Sequence, residues 1–208
     1  MKEITTLLFD LGNVITKPQD ASYAEKMRSI LAPGLSQERF LEAYYARRRD
    51  YDRGDIDYRV YWSRVAEELG LPVPEDRFEE LRDADLKSWF NIDEAMVDYL
   101  REIRGRARHL VLLSNIHRDG VEYLESNFPW KDLFESRVYS CEHRVNKPHA
   151  EIFQIALAEV GERPENCLFV DDLSENIEGG RSAGLNAIQF VGLARLKSEL
   201  ADGYVIRS

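Results

Sequence analysis

Four places in the chain put reactive side chains next to a short apolar stretch. Leu7-Leu8-Phe9 stops at Asp10, with Gly12 two residues on; Leu110-Val111-Leu112-Leu113 stops at Ser114-Asn115; Cys167-Leu168-Phe169-Val170 stops at Asp171-Asp172; and Asn146-Lys147-Pro148 stands just ahead of an apolar helical face. Taken singly, each has a structural explanation. Asp10 and the acid pair suit helix caps, Ser114 a turn, and Lys147 a solvated charge. The adjacent carboxylates resist that explanation most, because like charges side by side cost energy unless a cation relieves them. Gathered at the carboxyl edge of a parallel sheet, where open α/β folds hold their ligands, the four would supply a carboxylate nucleophile, a hydroxyl, an ammonium and a metal-binding acid pair.

Gathering them requires alternating strands and helices, and the pattern supplies these. Ile4–Phe9 is too short and too β-branched at its start for a helix and reads as the first strand. Pro18, Pro33-Gly34 and Gly70-Leu71-Pro72-Val73-Pro74 then punctuate four helical stretches, Ala21–Leu31, Ser36–Arg53, Asp57–Leu69 and Glu75–Trp89. Phe40 with Tyr44, and Tyr61 with Val65 and Leu69, recur at helical spacing as the core of a helical insertion. No strand pattern interrupts it. After Asn91 come a helix carrying Met96, Val97, Leu100 and Ile103, then strands at His109–Leu113, Arg137–Tyr139, Cys167–Val170 and Ala187–Val191. Helices at Arg118–Asn127, His149–Val160 and Ser174–Ala183 separate them, with Pro148 expected as the first residue of the second. Strand, helix, strand in repetition predicts an α/β fold with a doubly wound parallel sheet.

The 208 residues carry a net charge of −10, which argues against a nucleic-acid partner; Arg47-Arg48-Arg49 is flanked by Asp50 and Asp52 and makes no basic tract. The same acidity means that an anionic substrate needs local help from a metal or a placed lysine. Cys141 and Cys167 form no CxxC or zinc spacing, so a reduced, cytoplasmic setting is expected. No signal-peptide region and no stretch of transmembrane length is present, so no membrane partner is expected.

Phe9-Asp10-Leu11-Gly12-Asn13-Val14, Leu113-Ser114-Asn115, Asn146-Lys147-Pro148 and Val170-Asp171-Asp172, in this order, resemble the four motifs of the haloacid dehalogenase-like hydrolase superfamily. The insertion resembles that family's mobile four-helix cap. The resemblance implies a Rossmann-like core of residues 1–16 and 91–208 with a cap domain at 17–90. It further implies hydrolysis of a small phosphorylated metabolite with Mg²⁺, through an aspartyl-phosphate on Asp10. In that scheme Asp10, the Gly12 carbonyl and Asp172 hold the metal. Asp171 orients a metal-bound water, in a role exchangeable with that of Asp172, and Glu175 and Asn176 support the loop around the metal. Ser114 and the Asn115 backbone N–H bind a phosphoryl oxygen, and Lys147 offsets negative charge. An unperturbed carboxyl titrates near ~3.9, so Asp10 is expected to be ionised at neutrality without a base. Arg49, Arg53 and Tyr45 are candidates for contacting the rest of the substrate, whereas His117 and His143 read as ordinary loop residues.

One departure stands out. Most phosphatases of this family carry a second Asp two residues after the nucleophile, as acid and base, and this chain has Gly12 there. Three functions follow from the motifs: a phosphatase of the branch that includes sugar-phosphate phosphatases, a non-catalytic phospho-ligand-binding or protein-binding relative, and a 2-haloacid dehalogenase. The intact Asp171-Asp172 pair speaks against the last, which needs no metal.

Overall fold

In the computed structural model, which describes residues 1–208, the first apolar run splits at Thr5 into β1 (Lys2–Ile4) and β2 (Thr6–Phe9). This differs from the single strand expected over Ile4–Phe9, and the two pieces join different sheets. All four residues of β2 are buried. The chain then leaves for a helical layer, α1 (Ala21–Leu31), α2 (Gln37–Ala46), α3 (Arg48–Asp52), α4 (Tyr58–Glu68) and α5 (Phe78–Trp89). Asp20, Ser36 and Asp57 start three of these helices by accepting the N–H of Ser22, Arg39 and Val60. The single helix expected over Ser36–Arg53 is broken at Arg47, whose φ of −116° and ψ of 6° leave the helical region. Phe40, Tyr44, Tyr61, Trp62, Val65 and Leu81 are wholly buried in a core that belongs to this layer alone. The two strands of chain that enter and leave it run side by side: Lys17 N–H donates to Asn91 O at 2.7 Å and Asp93 N–H to Ile15 O at 2.9 Å.

Beyond the layer come α6 (Glu94–Arg104), β3 (His109–Ser114), α7 (Arg118–Asn127), β4 (Ser136–Tyr139), the short α8 (Ser140–His143), α9 (Ala150–Val160), β5 (Cys167–Asp171), α10 (Ser174–Ser182) and β6 (Asn186–Gln189). The five strands form one parallel sheet in the order β4-β3-β2-β5-β6. Alternation along β2 divides its side chains between two cores. Leu7 and Phe9 pack with Met96, Val97, Leu100 and Ile103 of α6. Leu8 packs on the other face with Ile152, Phe153 and Ala156 of α9. The sheet is therefore doubly wound. Since the chain builds outward from β2 through β3 to β4 and returns to β5, the order reverses at β2, and the crevice beyond its carboxyl end is the switch point. The carboxyl end adds two elements without an expectation from the sequence, α11 (Leu193–Gly203) and β7 (Tyr204–Ile206), the latter pairing with β1.

Helix α9 begins at Ala150 with His149 as its N-cap, so Pro148 is not its first residue as expected. What fixes Lys147-Pro148 is α10. A Cβ at Gly179 would stand 2.5 Å from Pro148 O and 2.6 Å from Pro148 Cβ, which explains a glycine inside a helix despite a cost of ~1 kcal/mol relative to alanine. Gly179→Ala is expected to destabilise by ~1–3 kcal/mol through overpacking. In thermal unfolding the melting temperature should fall by several degrees, whereas Gly105→Ala, where a Cβ meets nothing within 4 Å, should leave it unchanged.

Candidate active site

Asp10 follows directly on β2 and is only 8% exposed. Its Oδ1 accepts the Leu11 N–H at 2.7 Å and lies 2.7 Å from Lys147 Nζ, while its Oδ2 accepts no hydrogen bond from the protein. Lys147 is buried with all its donor capacity in use, on Asp171 Oδ2 at 2.7 Å, on Leu113 O at 2.9 Å and toward Asp10. Asn115 clamps the lysine's backbone from both sides, donating Nδ2 to Lys147 O at 3.0 Å and accepting Lys147 N–H on Oδ1 at 2.8 Å. The two acids of the pair differ sharply. Asp171 is fully buried and saturated by Lys147, by Asn176 Nδ2 at 3.0 Å to each oxygen, and by the Leu173 N–H at 2.9 Å. Asp172 is half-buried, accepts only Asn13 Nδ2 at 2.9 Å on Oδ2, and keeps Oδ1 free. Asn13 takes a left-handed backbone (φ 55°), which asparagine tolerates better than most residues.

One carboxylate oxygen from each of Asp10, Asp171 and Asp172 lies within 4.8 Å of the others. An all-oxygen donor set around concentrated negative charge fits a hard divalent cation such as Mg²⁺. The free oxygens sit on Asp10, Asp172 and the Gly12 carbonyl, which accepts no hydrogen bond within the protein. Burial drives the Asp10 carboxyl from 3.8 up to about 7, with the charges of Asp171 and Asp172 adding to the rise and Lys147 opposing it. Ionisation at neutrality is thus not automatic for Asp10, as its ordinary pKa suggests; a cation among these carboxylates acts in the opposite sense to burial. Burial also raises Asp172, with the Asn13 hydrogen bond opposing. Burial alone would lower Lys147, but Asp10 and Asp171 hold it above the ordinary lysine range.

The pocket over Asp10 has a volume of about 500 Å³. Asp10, Gly12, Ser114, Asn115, Lys147 and Asp172 line it from the sheet side, and Asp171 lies beneath the lining. The residues expected from the helical layer fare differently. Arg49 reaches the rim but is held by Glu175 at 2.8 Å, and Glu175 thereby faces the helical layer instead of the acid cluster. Arg53 is outside the lining, paired with Asp50 at 3.1 Å and Asp55 at 2.5 Å. Arg48 also lines the pocket, and the sequence did not single it out. His117 is no ordinary loop residue: it is 2% exposed, caps α7 by accepting the Gly120 N–H, and stacks on Tyr51 at 3.9 Å between ring centroids. With Ser140 Oγ donating to Asp52 O at 2.5 Å and Asn146 Nδ2 to Arg49 O at 2.8 Å, this stacking fastens α3 to the sheet domain. Asn13, Arg48, Asp52 and His117 were the residues sequence reasoning missed; only Asn13, inside the first motif, carried any signal.

A doubly wound sheet whose central strand delivers a carboxylate into an acid-lined switch-point pocket is an α/β enzyme fold. The family model for haloacid dehalogenase-like hydrolases matches residues 4–184, and the chain belongs to that family of hydrolases. It is 25% identical over 206 residues to D-ribitol-5-phosphate phosphatase of Bacteroides thetaiotaomicron, spanning 95% of this chain and 97% of that protein. Over 138 residues it is 25% identical to the sesquiterpene phosphatase astK of Aspergillus oryzae, spanning 65% of this chain and 67% of that one. Among solved structures, a HAD family enzyme from Bacteroides thetaiotaomicron superposes with a TM-score of 0.75 at 24% identity, over 90% of this chain and 94% of that chain. That enzyme has also been solved with magnesium and inorganic phosphate. No helix in this chain is long and apolar enough to cross a membrane.

Proposed function

We propose that this protein is a Mg²⁺-dependent phosphatase acting on a small phosphorylated metabolite of the sugar or polyol phosphate class, through an aspartyl-phosphate on Asp10. The observation that carries the reading is the state of Asp10. One oxygen is anchored by Leu11 N–H and Lys147, and the other is free at the switch point beside the acid pair. One carboxylate oxygen of Asp10 attacks phosphorus while the other faces the metal, the bond to the leaving oxygen breaks and solvent protonates that oxygen, and water then cleaves the acyl phosphate to return Asp10 and release phosphate. Mg²⁺ held by Asp10, the Gly12 carbonyl and Asp172 would neutralise the repulsion between an anionic nucleophile and an anionic phosphoryl group. Asp171, saturated by Lys147 and Asn176, braces the site instead of binding directly. Ser114 Oγ and the Asn115 N–H, which no protein group accepts, receive phosphoryl oxygens. Lys147 holds the nucleophile in place and limits its charge. Most of the catalytic effect is therefore positioning and electrostatics.

Residues 17–90 act as the cap, which excludes water and selects the organic part of the substrate. A pocket of about 500 Å³ is of the size that metabolites occupy. Support for the substrate class comes from the relative named D-ribitol-5-phosphate phosphatase, aligned along nearly the whole chain. The test is phosphate release from p-nitrophenyl phosphate and a panel of sugar and polyol phosphates. Turnover is expected with Mg²⁺ and should disappear with EDTA; turnover undiminished in EDTA, or none on any ester, would refute the reading.

A further inference from the structure

The cap-side wall of the pocket holds an ion pair with one donor and one acceptor left over. Arg48 spends Nε on Asp52 Oδ1 at 3.1 Å, and Nη1 on Tyr44 Oη at 2.7 Å and on both oxygens of Asp85 at 2.9 Å. Its Nη2 has no hydrogen-bond partner in the protein, and neither has Asp52 Oδ2, yet neither atom is sealed from solvent. Both residues line the pocket. The pair is rigid, because the guanidinium lies within 6 Å of the Tyr44, Tyr51, Tyr61 and Trp89 rings, and Ser140 ties the Asp52 carbonyl to the sheet domain. Two carboxylates, Asp52 and the fully buried Asp85, surround this one guanidinium, so the wall as a whole is not cationic. The neighbouring Arg49 is already neutralised by Glu175.

From this we infer that Arg48 and Asp52 form a hydroxyl-reading site that selects phosphomonoesters with a neutral polyol tail and rejects those carrying a second anion. The inference rests on the phosphatase reading of the same pocket and goes beyond it to the rest of the substrate. A hydroxyl both accepts and donates, so a single one can take the Arg48 Nη2–H and give its proton to Asp52 Oδ2. A carboxylate or second phosphate satisfies only the arginine and meets the uncompensated carboxylate charge. An alkyl tail leaves both groups desolvated and unpaired, the situation in which a polar site discriminates most strongly.

Three size-matched esters test it: D-ribitol 5-phosphate, 5-phospho-D-ribonate with a carboxylate at the far end, and n-pentyl phosphate with no hydroxyl. Binding is measured by calorimetry on the Asp10→Asn protein with saturating Mg²⁺, so that no ester turns over. Ribitol 5-phosphate should bind more tightly than either of the others by about tenfold or more. In an Asp10→Asn, Asp52→Asn protein, whose melting temperature is checked alongside, the preference over the ribonate ester should shrink to within about threefold, since the excess negative charge is gone. Equal binding of all three esters, tightest binding of the ribonate ester, binding of none, or an undiminished preference after Asp52→Asn would overturn the proposal. Turnover of p-nitrophenyl phosphate by the unaltered protein decides the phosphatase reading separately.

Discussion

An Asp10→Asn protein is expected to lose phosphate release by a factor of about 10⁴ or more and, without metal, to melt at a higher temperature than the parent. The two halves of that expectation have one cause. Asp10 is a buried carboxyl placed beside two others and a single lysine, and burial drives it up to about 7. Because the folded pKa lies above the ordinary 3.8, the native state binds a proton that the unfolded chain has released. The group therefore costs nothing below pH 3.8, and its contribution falls progressively as pH rises from there to about 7, beyond which the full cost persists. Asparagine avoids that cost and leaves Lys147 with Asp171 and the Leu113 carbonyl as partners. In EDTA the gain in melting temperature should be larger at pH 8 than at pH 5, at roughly 2–4 °C for each kcal/mol. A residue kept at the expense of stability is what a reactive site requires. Robust turnover by the variant would remove Asp10 from the mechanism; a lower melting temperature than the parent at pH 8 would show that the carboxylate is a structural partner of Lys147.

The parts of this architecture that could be read in advance are those set by local pattern. Leu7-Leu8-Phe9, Leu110–Leu113 and Cys167–Val170 are apolar on both faces because helices cover both sides of the sheet, and continuous burial leaves a continuous apolar run. Asp10, Ser114 and Asp172 were legible because each marks the end of such a run, and parallel strands bring those ends to one edge. The splits were not legible. Thr5 separates two strands that join different sheets, yet the β-branched run Ile4-Thr5-Thr6 passes through it without a break. Arg47 breaks a helix while Tyr44 and Tyr51 remain buried on either side, so apolar periodicity gives no warning. Beyond that break Arg48 and Arg49 line the pocket, and Arg47, at the break itself, does not. Arg48 lies one turn beyond Tyr44 and finds Asp85, a residue 37 positions away. Arg53, the more prominent choice beside Gly54, finds only its near neighbours Asp50 and Asp55. His117 was missed for the same kind of reason, since its partner Tyr51 comes from the helical layer. Burial also raises the Asp10 carboxyl above its ordinary pKa, which describes a carboxyl in water, and no local pattern announces that shift.

The largest gain should come from Gly12→Asp. A proton delivered to the leaving oxygen is worth about 10²–10⁴ in rate, and this chain lacks the acid that phosphatases of its family usually carry at this position. The backbone can accept the change. A Cβ at Gly12 meets nothing within 4 Å, and the left-handed conformation in this loop is taken by Asn13, not by Gly12. The new carboxyl would enter the same pocket as Asp10 and Asp172, where burial and like charge favour its protonated form, the form an acid must have. Help from an acid depends on how badly the leaving group needs a proton. An alkoxide, as from ribitol 5-phosphate, needs one to depart, whereas p-nitrophenolate leaves readily as the anion. The variant should therefore hydrolyse the alkyl ester faster by about 10² or more and the aryl ester by no more than about threefold. The alkyl rate should also fall at high pH as the new group ionises. A similar increase on both esters would point to tighter metal binding through an added carboxylate, not to proton transfer. A decrease on both would mean that the extra charge beside Asp10 outweighs any proton it can give, and that glycine at this position protects the nucleophile.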